Sequence, residues 1–166
     1  GHIKNSETKI YQILIVSNLI GLIIEILCTF ASIIYNQFPV ISNLIYKMYL
    51  IYLISWTSLF TIYIYVISTN FKQKTNKLKK TILMLLFLIV STIVLLLPID
   101  LVVKNNFQTR YTIGASVNFT YLICGLLIVA IMIMLFKNFK KILNEKYIPV
   151  FVFLTLGSLS ILIQNT

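Results

Sequence analysis

The chain reads as an all-α, polytopic transmembrane helix bundle, and three observations predict it. Of its 166 residues, 59% are hydrophobic and only 11% charged, against about a quarter charged in an ordinary soluble domain. Mean hydropathy is +0.95, more apolar surface than a water-soluble core can hide, so the natural solvent is lipid. The polar stretches are all short, which leaves no room for a soluble domain. Residues 1–166 therefore form one integral membrane domain.

Five apolar runs could span a bilayer: 10–35, 44–68, 81–99, 116–136 and 148–164. A helix rises about 1.5 Å per residue, so a hydrocarbon core of about 30 Å takes about 20 residues. A transmembrane barrel would need short alternating strands, and these runs are long and uniformly apolar.

The first run follows Lys4 and Lys9, as a secretory signal would. It exceeds the roughly 7–15 apolar residues of a signal core, so it reads as a retained anchor. His2, after Gly1 with no initiating Met, reads as a tag scar. The second run is aromatic throughout: Tyr46, Tyr49 and Tyr52 recur every three residues at one end, Tyr63 and Tyr65 near the other. Belts at the membrane interfaces and ring packing between helices account for them, with a hydroxyl-lined ligand pocket as the functional alternative. Lys47, near the end of that run, can snorkel to the headgroups. The third run stops at "PID", the fourth starts after "TIGA", and the fifth is the shortest. Cys28 and Cys124 lie within apolar runs without C-x-x-C spacing and read as small buried hydrophobes.

Basic residues set the orientation. Lys4 and Lys9 precede the first run; Lys72, Lys74, Lys77, Lys79 and Lys80 lie between the second and third; Lys137, Lys140, Lys141 and Lys146 lie between the fourth and fifth. Only Lys47, Lys104 and Arg110 fall on the other side. Positive residues stay cytoplasmic, so the N-terminus and both lysine-rich segments are expected inside. The linker "NQFPVISN" and the loop "DLVVKNNFQTRYTIGA" are then expected outside. The net charge of +10 marks topology. Lys72, Lys74, Lys77, Lys79, Lys80, Lys137, Lys140 and Lys141 are expected to contact anionic inner-leaflet lipid, and no nucleic-acid partner is needed.

One acid stands out. Glu25 lies in the oily stretch "SNLIGLIIEIL". With Asn18, Gly21, Cys28 and Ser32 it forms a stripe at steps of 3 and 4, one helix face. Lipid cannot satisfy Asn18 or Glu25, so this face is expected to point into the bundle, with Gly21 admitting a close neighbour. A matching stripe on the second run is Ser58, Thr61, Tyr65 and Ser68; the fifth offers Gly157, Ser160 and Gln164. A carboxylate within hydrocarbon is expensive and is a functional candidate by default. Aligning the outer ends leaves Lys47 roughly 10 Å along the axis from Glu25. The expectation is therefore a neutral Glu25 bonded to hydroxyls or Asn18, rather than an ion pair with Lys47. Candidates for ligand binding or signalling are Asn18, Gly21, Glu25, Lys47, Ser58 and Thr61.

Catalytic signatures are absent: no H-E-x-x-H, no G-x-S-x-G and no glycine-rich phosphate loop. The acids Glu7, Glu25, Asp100 and Glu145 are scattered. No catalytic residue, metal site or cofactor is expected. A receptor, a carrier or an assembly module fits the chain.

The C-terminal stretches "LICGLLIVAIMIMLFKNFKKI" and "NEKYIPVFVFLTLGSLSILIQNT", with "NLIYKMYLIYLISWTSLFTIYIYVIS" and "VLLLPIDLVV", resemble the membrane region that precedes the catalytic part of bacterial sensor histidine kinases. The resemblance runs from the first helix to the end. It implies a multi-helix sensor in the cytoplasmic membrane, feeding a cytoplasmic phosphorylating module. The phosphoacceptor His segment and the ATP-binding segment do not occur here, so any kinase activity lies outside these residues. On this reading the region continues into a sixth helix. The fifth then exposes its Gly157, Ser160 and Gln164 face and favours self-association into a homo-oligomer. The alternative is a complete small membrane protein, such as the substrate-binding subunit of a vitamin transporter.

Overall fold

The computed structural model describes residues 2–68, 77–104 and 109–137, with side chains over 9–66, 81–102 and 111–137. Among them are four helices, α1 (His2–Ile34), α2 (Pro39–Ser68), α3 (Lys77–Leu96) and α4 (Ala115–Lys137). Between α3 and α4 lies a hairpin, β1 (Asp100–Lys104) and β2 (Thr109–Ile113). The predicted fifth helix lies outside the described residues, with Lys72, Lys74, Lys140, Lys141 and Lys146.

Three helical stretches, Lys9–Ile34, Pro39–Val66 and Ala115–Lys137, are long and apolar enough to cross a membrane; Thr81–Leu96 is apolar but shorter. Large apolar side chains cover their outer faces: Phe30 is 61% exposed, Ile33 64% and Phe136 69%. Such contiguous apolar surface marks contact with lipid or protein rather than water. The chain is a membrane protein.

The helix ends differ from the predicted ones for definite reasons. α1 starts at His2 rather than at residue 10, and α2 at Pro39 rather than 44. Hydropathy locates where lipid begins, whereas the backbone ladder continues into the headgroup layer. At α2 the proline also suits the first helical position, where its missing N–H has no partner to lose. A tight link precedes it, with Gln37 N and Phe38 N donating to the Ile34 carbonyl at 2.9 and 3.0 Å. α3 ends at Leu96 rather than 99, because Pro98 denies the preceding residue helical geometry.

The connection expected to be an outer loop is instead a two-stranded antiparallel hairpin, pairing Asp100 with Ile113 and Lys104 with Thr109. The bundle is thus helical with a small β appendage. Gly114 closes it at φ +128°, where an added Cβ would lie 2.7 Å from the Pro98 carbonyl oxygen. Ser116 N then donates to that carbonyl at 3.1 Å and opens α4.

α2 is the central helix: α1 and α4 pack most heavily on it, and α3 touches α2 and α4 more lightly. The antiparallel register of α1 and α2 follows from three contacts. Ser42 Oγ donates to the Ala31 carbonyl at 2.9 Å, Cys28 Sγ lies 4.0 Å from the Ile45 carbonyl, and Tyr52 lies over Gly21. Each step down α1 is matched by an equal step along α2, ending at Tyr11 beside Tyr63. Two cores result. Near the hairpin, Ala31, Tyr46, Leu50, Ile54, Val94, Ile99 and Val117 join all four helices, with Leu101 of β1 packed against them. At the other end Leu14, Phe60, Ile64, Ile131 and Leu135 join α1, α2 and α4.

Candidate functional site: an acid among tyrosines

Gly21 and Cys28 face α2, as the stripe predicts. Gly21 is buried, and a Cβ added there would fall on the Tyr52 phenol, 2.7 Å from its Cε1 and closer to its Cζ and hydroxyl. Only glycine admits the ring at this depth. Between these two contacts, the register brings Glu25 level with Tyr49. The Tyr49 and Tyr52 rings lie 6.2 Å apart at 33°. Glu25 is within electrostatic reach of Tyr49, Tyr52 and Cys28, and Tyr121 of α4 is within reach of Tyr49. The arrangement is one carboxylate beside two, and at its edge three, phenols.

The rest of the stripe departs from expectation. Asn18 and Glu25 are exposed among the described residues rather than turned into the bundle. α1 leans chiefly on α2, so the contact seam is narrow, while the stripe is about 80° wide on an α-helical wheel. Asn18 and Glu25, along one edge of it, fall outside the seam. Glu25 receives neither a hydrogen bond to its carboxylate nor an ion pair from the described residues, so the expected bond to Asn18 is not formed. Nearby hydroxyls bond to their own helix instead: Thr29 Oγ1 donates to the Glu25 backbone carbonyl at 3.1 Å, and Ser32 Oγ to the Thr29 carbonyl at 2.8 Å.

Lys47 does not turn to Glu25 or simply to headgroups: its Nζ donates to the Leu95 carbonyl of α3 at 2.6 Å. Axial offset is not what separates it from the acid. Lys47 lies two residues from both Ile45 and Tyr49, which put it about 200° round the helix from the α1-facing side. Ser58 and Thr61 are not gathered at Glu25 either. They follow Tyr49 by nine and twelve residues, about 14 and 18 Å of helix. Thr61 Oγ1 donates to the Thr57 carbonyl at 2.7 Å, and Ser58 is half-buried. Thr57 makes the cross-helix contact instead, with its Oγ1 3.6 Å from Cys124 Sγ of α4.

Among the lysines expected to contact headgroups, Lys77, Lys79 and Lys80 lie in the first turn of α3, and Lys137 is exposed at the last turn of α4. No group of His, Cys, Asp and Glu that could hold a metal ion occurs among the described residues.

Sequence reasoning gave Tyr49 and Tyr52 first to interfacial belts, with a ligand pocket as the alternative, and did not weigh Tyr121, because interfacial tyrosines are commonplace. The signal was present in the short link between the helices. Counting equal steps back from it along both helices brings Glu25 and Tyr49 to one level.

No family model, no curated protein and no solved structure matches this chain.

Proposed function

We propose that this chain is the membrane-embedded sensor region of a bacterial signalling protein, of the kind that precedes a histidine kinase module. It crosses the cytoplasmic membrane five times, with its N-terminus and both lysine-rich segments inside. The phosphorylating chemistry belongs to a downstream module; this region supplies recognition. The lysines at the inner face contact anionic headgroups, each contributing on the order of 1 kcal/mol near such a surface.

The observation that carries the reading is Glu25 on the open flank of α1–α2, beside Tyr49 and Tyr52. A carboxylate within an apolar span is kept there for an interaction it cannot make elsewhere. Its complement is a small ligand with a positive charge, because the electron-rich faces of tyrosine rings attract cations as the carboxylate does. A ligand bridging Glu25 on α1 and the rings on α2 favours one axial position of the helix pair over another. Shifts of about 1–2 Å between packed helices are a standard means of passing such a bias along.

Binding of tetraphenylphosphonium to the purified chain in nanodiscs tests the site, read by the fluorescence of Trp56, the one tryptophan. Saturable binding that Glu25→Gln weakens at least ten-fold is expected; binding indifferent to that change would overturn the assignment. The topology is tested by thiol labelling from outside in a background lacking Cys28 and Cys124. A cysteine at Gln37 should react and one at Asn138 should not. The signalling role predicts a kinase or related output module encoded in frame after Thr166, and a different continuation refutes it.

A further inference from the structure

On the flank of the α1–α2 pair away from Glu25 runs an open groove of about 520 Å³, lined by Lys9, Gln12, Val16, Ser17, Ile20 and Ser55, with Ile13 and Leu59 at its walls. Val16 and Glu25 are nine residues apart, half a turn out of phase on the helix, so the groove is separate from the acid–tyrosine site. Its volume lies within the range of small-molecule sites, about 300–1,000 Å³.

Small side chains create it. The register of Gly21 on Tyr52 sets Ser17 and Ser55 opposite each other, and neither fills the space between the helices as leucine would. Isoleucine and valine line the walls, roughly half exposed at Ile13, Val16 and Ile20. The one charged residue of the lining, Lys9, and the amide of Gln12 lie one turn apart toward one end, with Ser17 and Ser55 the other polar residues of the lining. Lys9 directly precedes the apolar run that begins at Ile10, which puts this end of the groove at the membrane boundary.

The depth is informative. From Lys9 to Ile20 is eleven residues, about 16 Å of helix. One leaflet of a bilayer core about 30 Å thick is about 15 Å deep. A cation at the headgroup level, an amide beside it and an apolar trough one leaflet long have the chemistry of a single phospholipid. The charge of Lys9, within a chain of net charge +10, selects an anionic headgroup, as basic pockets between transmembrane helices do.

We propose that this groove binds one anionic phospholipid, its phosphate at Lys9 and Gln12 and one acyl chain along Ile13, Val16 and Ile20. The lipid fills the gap between α1 and α2 that Ser17 and Ser55 leave, and so steadies the end of the pair that has the smaller core.

Trp56 adjoins Ser55 and is the one tryptophan of the chain, so a brominated acyl chain in the groove quenches its fluorescence. The full chain is placed in phosphatidylcholine nanodiscs with a small fraction of dibrominated lipid, either phosphatidylglycerol or phosphatidylcholine. The expected result is an apparent affinity about five-fold higher for the brominated phosphatidylglycerol, the selectivity one lysine near an anionic headgroup supplies. Lys9→Gln should bring the ratio near one, and Lys9→Arg should retain it. Lys104→Gln, which removes a lysine from the hairpin, should leave it unchanged. Ser55→Phe should reduce quenching by both lipids, with helical circular dichroism confirming the fold. Equal quenching by the two lipids in the unaltered chain overturns the proposal. So does selectivity lost equally in Lys9→Gln and Lys104→Gln, which indicates general electrostatic attraction to the whole chain. Quenching by neither lipid above the bulk level means another part of the chain fills the groove, and overturns it too.

Discussion

The two ends of the bundle are held by different means. At the hairpin end, polar side chains reach across helices to backbone carbonyls: Ser42 to Ala31, Ser116 Oγ to Val94 at 2.9 Å, and Lys47 to Leu95. Ser42, Ser116 and Ala31 are fully buried there, so the backbones approach closely. At the Lys9 end a ring contact crosses the helices, Tyr11 of α1 beside Tyr63 of α2 at 6.5 Å, while Trp56 stacks on Phe60 within α2 at 5.5 Å. Hydroxyls such as that of Thr61 stay on their own helix. Lipid is as apolar as leucine, so burial alone does not draw helices together in it. Close packing and interhelical hydrogen bonds must do so. The hairpin end has both; at the Lys9 end, among the described residues, ring packing joins the helices beside an open groove.

The largest break of this pattern is expected at the boundary between the ends. Gly21→Val should force Tyr52 off α1 and destabilise the chain by about 3 kcal/mol, the upper part of the range for overpacking. Unfolding in mixed detergent and dodecyl sulfate measures it. A value near zero would show that Tyr52 moves aside freely. Next comes Gly114→Ala, expected to lower stability by about 1–3 kcal/mol through an unfavourable backbone conformation and the nearby Pro98 carbonyl. Hydrogen exchange of the Ser116 amide should rise with it, since that amide bonds the same carbonyl.

Ser116→Ala sharpens the comparison by removing one cross-helix bond. Losses within membranes average about 0.6 kcal/mol and reach about 1.7. Thr61→Ala, which removes a bond within one helix, should lose less; equal losses would remove the distinction between the ends. Smallest is Ser91→Ala. The Ser91 hydroxyl is buried without a hydrogen-bond partner among the described residues, so its loss should be neutral or slightly stabilising.

How much of this could be read from the chain beforehand varies with the physics. The apolar spans were legible because bilayer thickness sets a length that few other constraints imitate, and 44–68 and 116–136 lie within α2 and α4. Helix ends were less so, since Lys4, Glu7 and Lys9 continue a helix that hydropathy ends. The hairpin was missed although Val102, Val103, Tyr111, Thr112 and Ile113 favour strands, because a loop satisfies the same charge pattern. At the site, the small members of the stripe were read well: Gly21 and Cys28 meet α2. Its polar members were not, because periodicity identifies a face but not how many neighbours cover it. The bond of Lys47 to α3 was not foreseen for a related reason. A carbonyl freed at the end of a neighbouring helix leaves no mark in the residue that will use it.

That carbonyl bears on the order in which the protein is made. α3 is the shorter apolar helix, halted before Pro98, and its last carbonyls have no partner within their own ladder. Lys47 supplies one, with its positive charge at the negative end of the helix dipole. It belongs to α2, which leaves the ribosome first. When α3 emerges, the group that terminates it is already in the membrane, so its insertion depends on a helix already laid down. Lys47→Leu should therefore reduce the fraction of nascent chains that insert α3 more than it weakens the finished bundle.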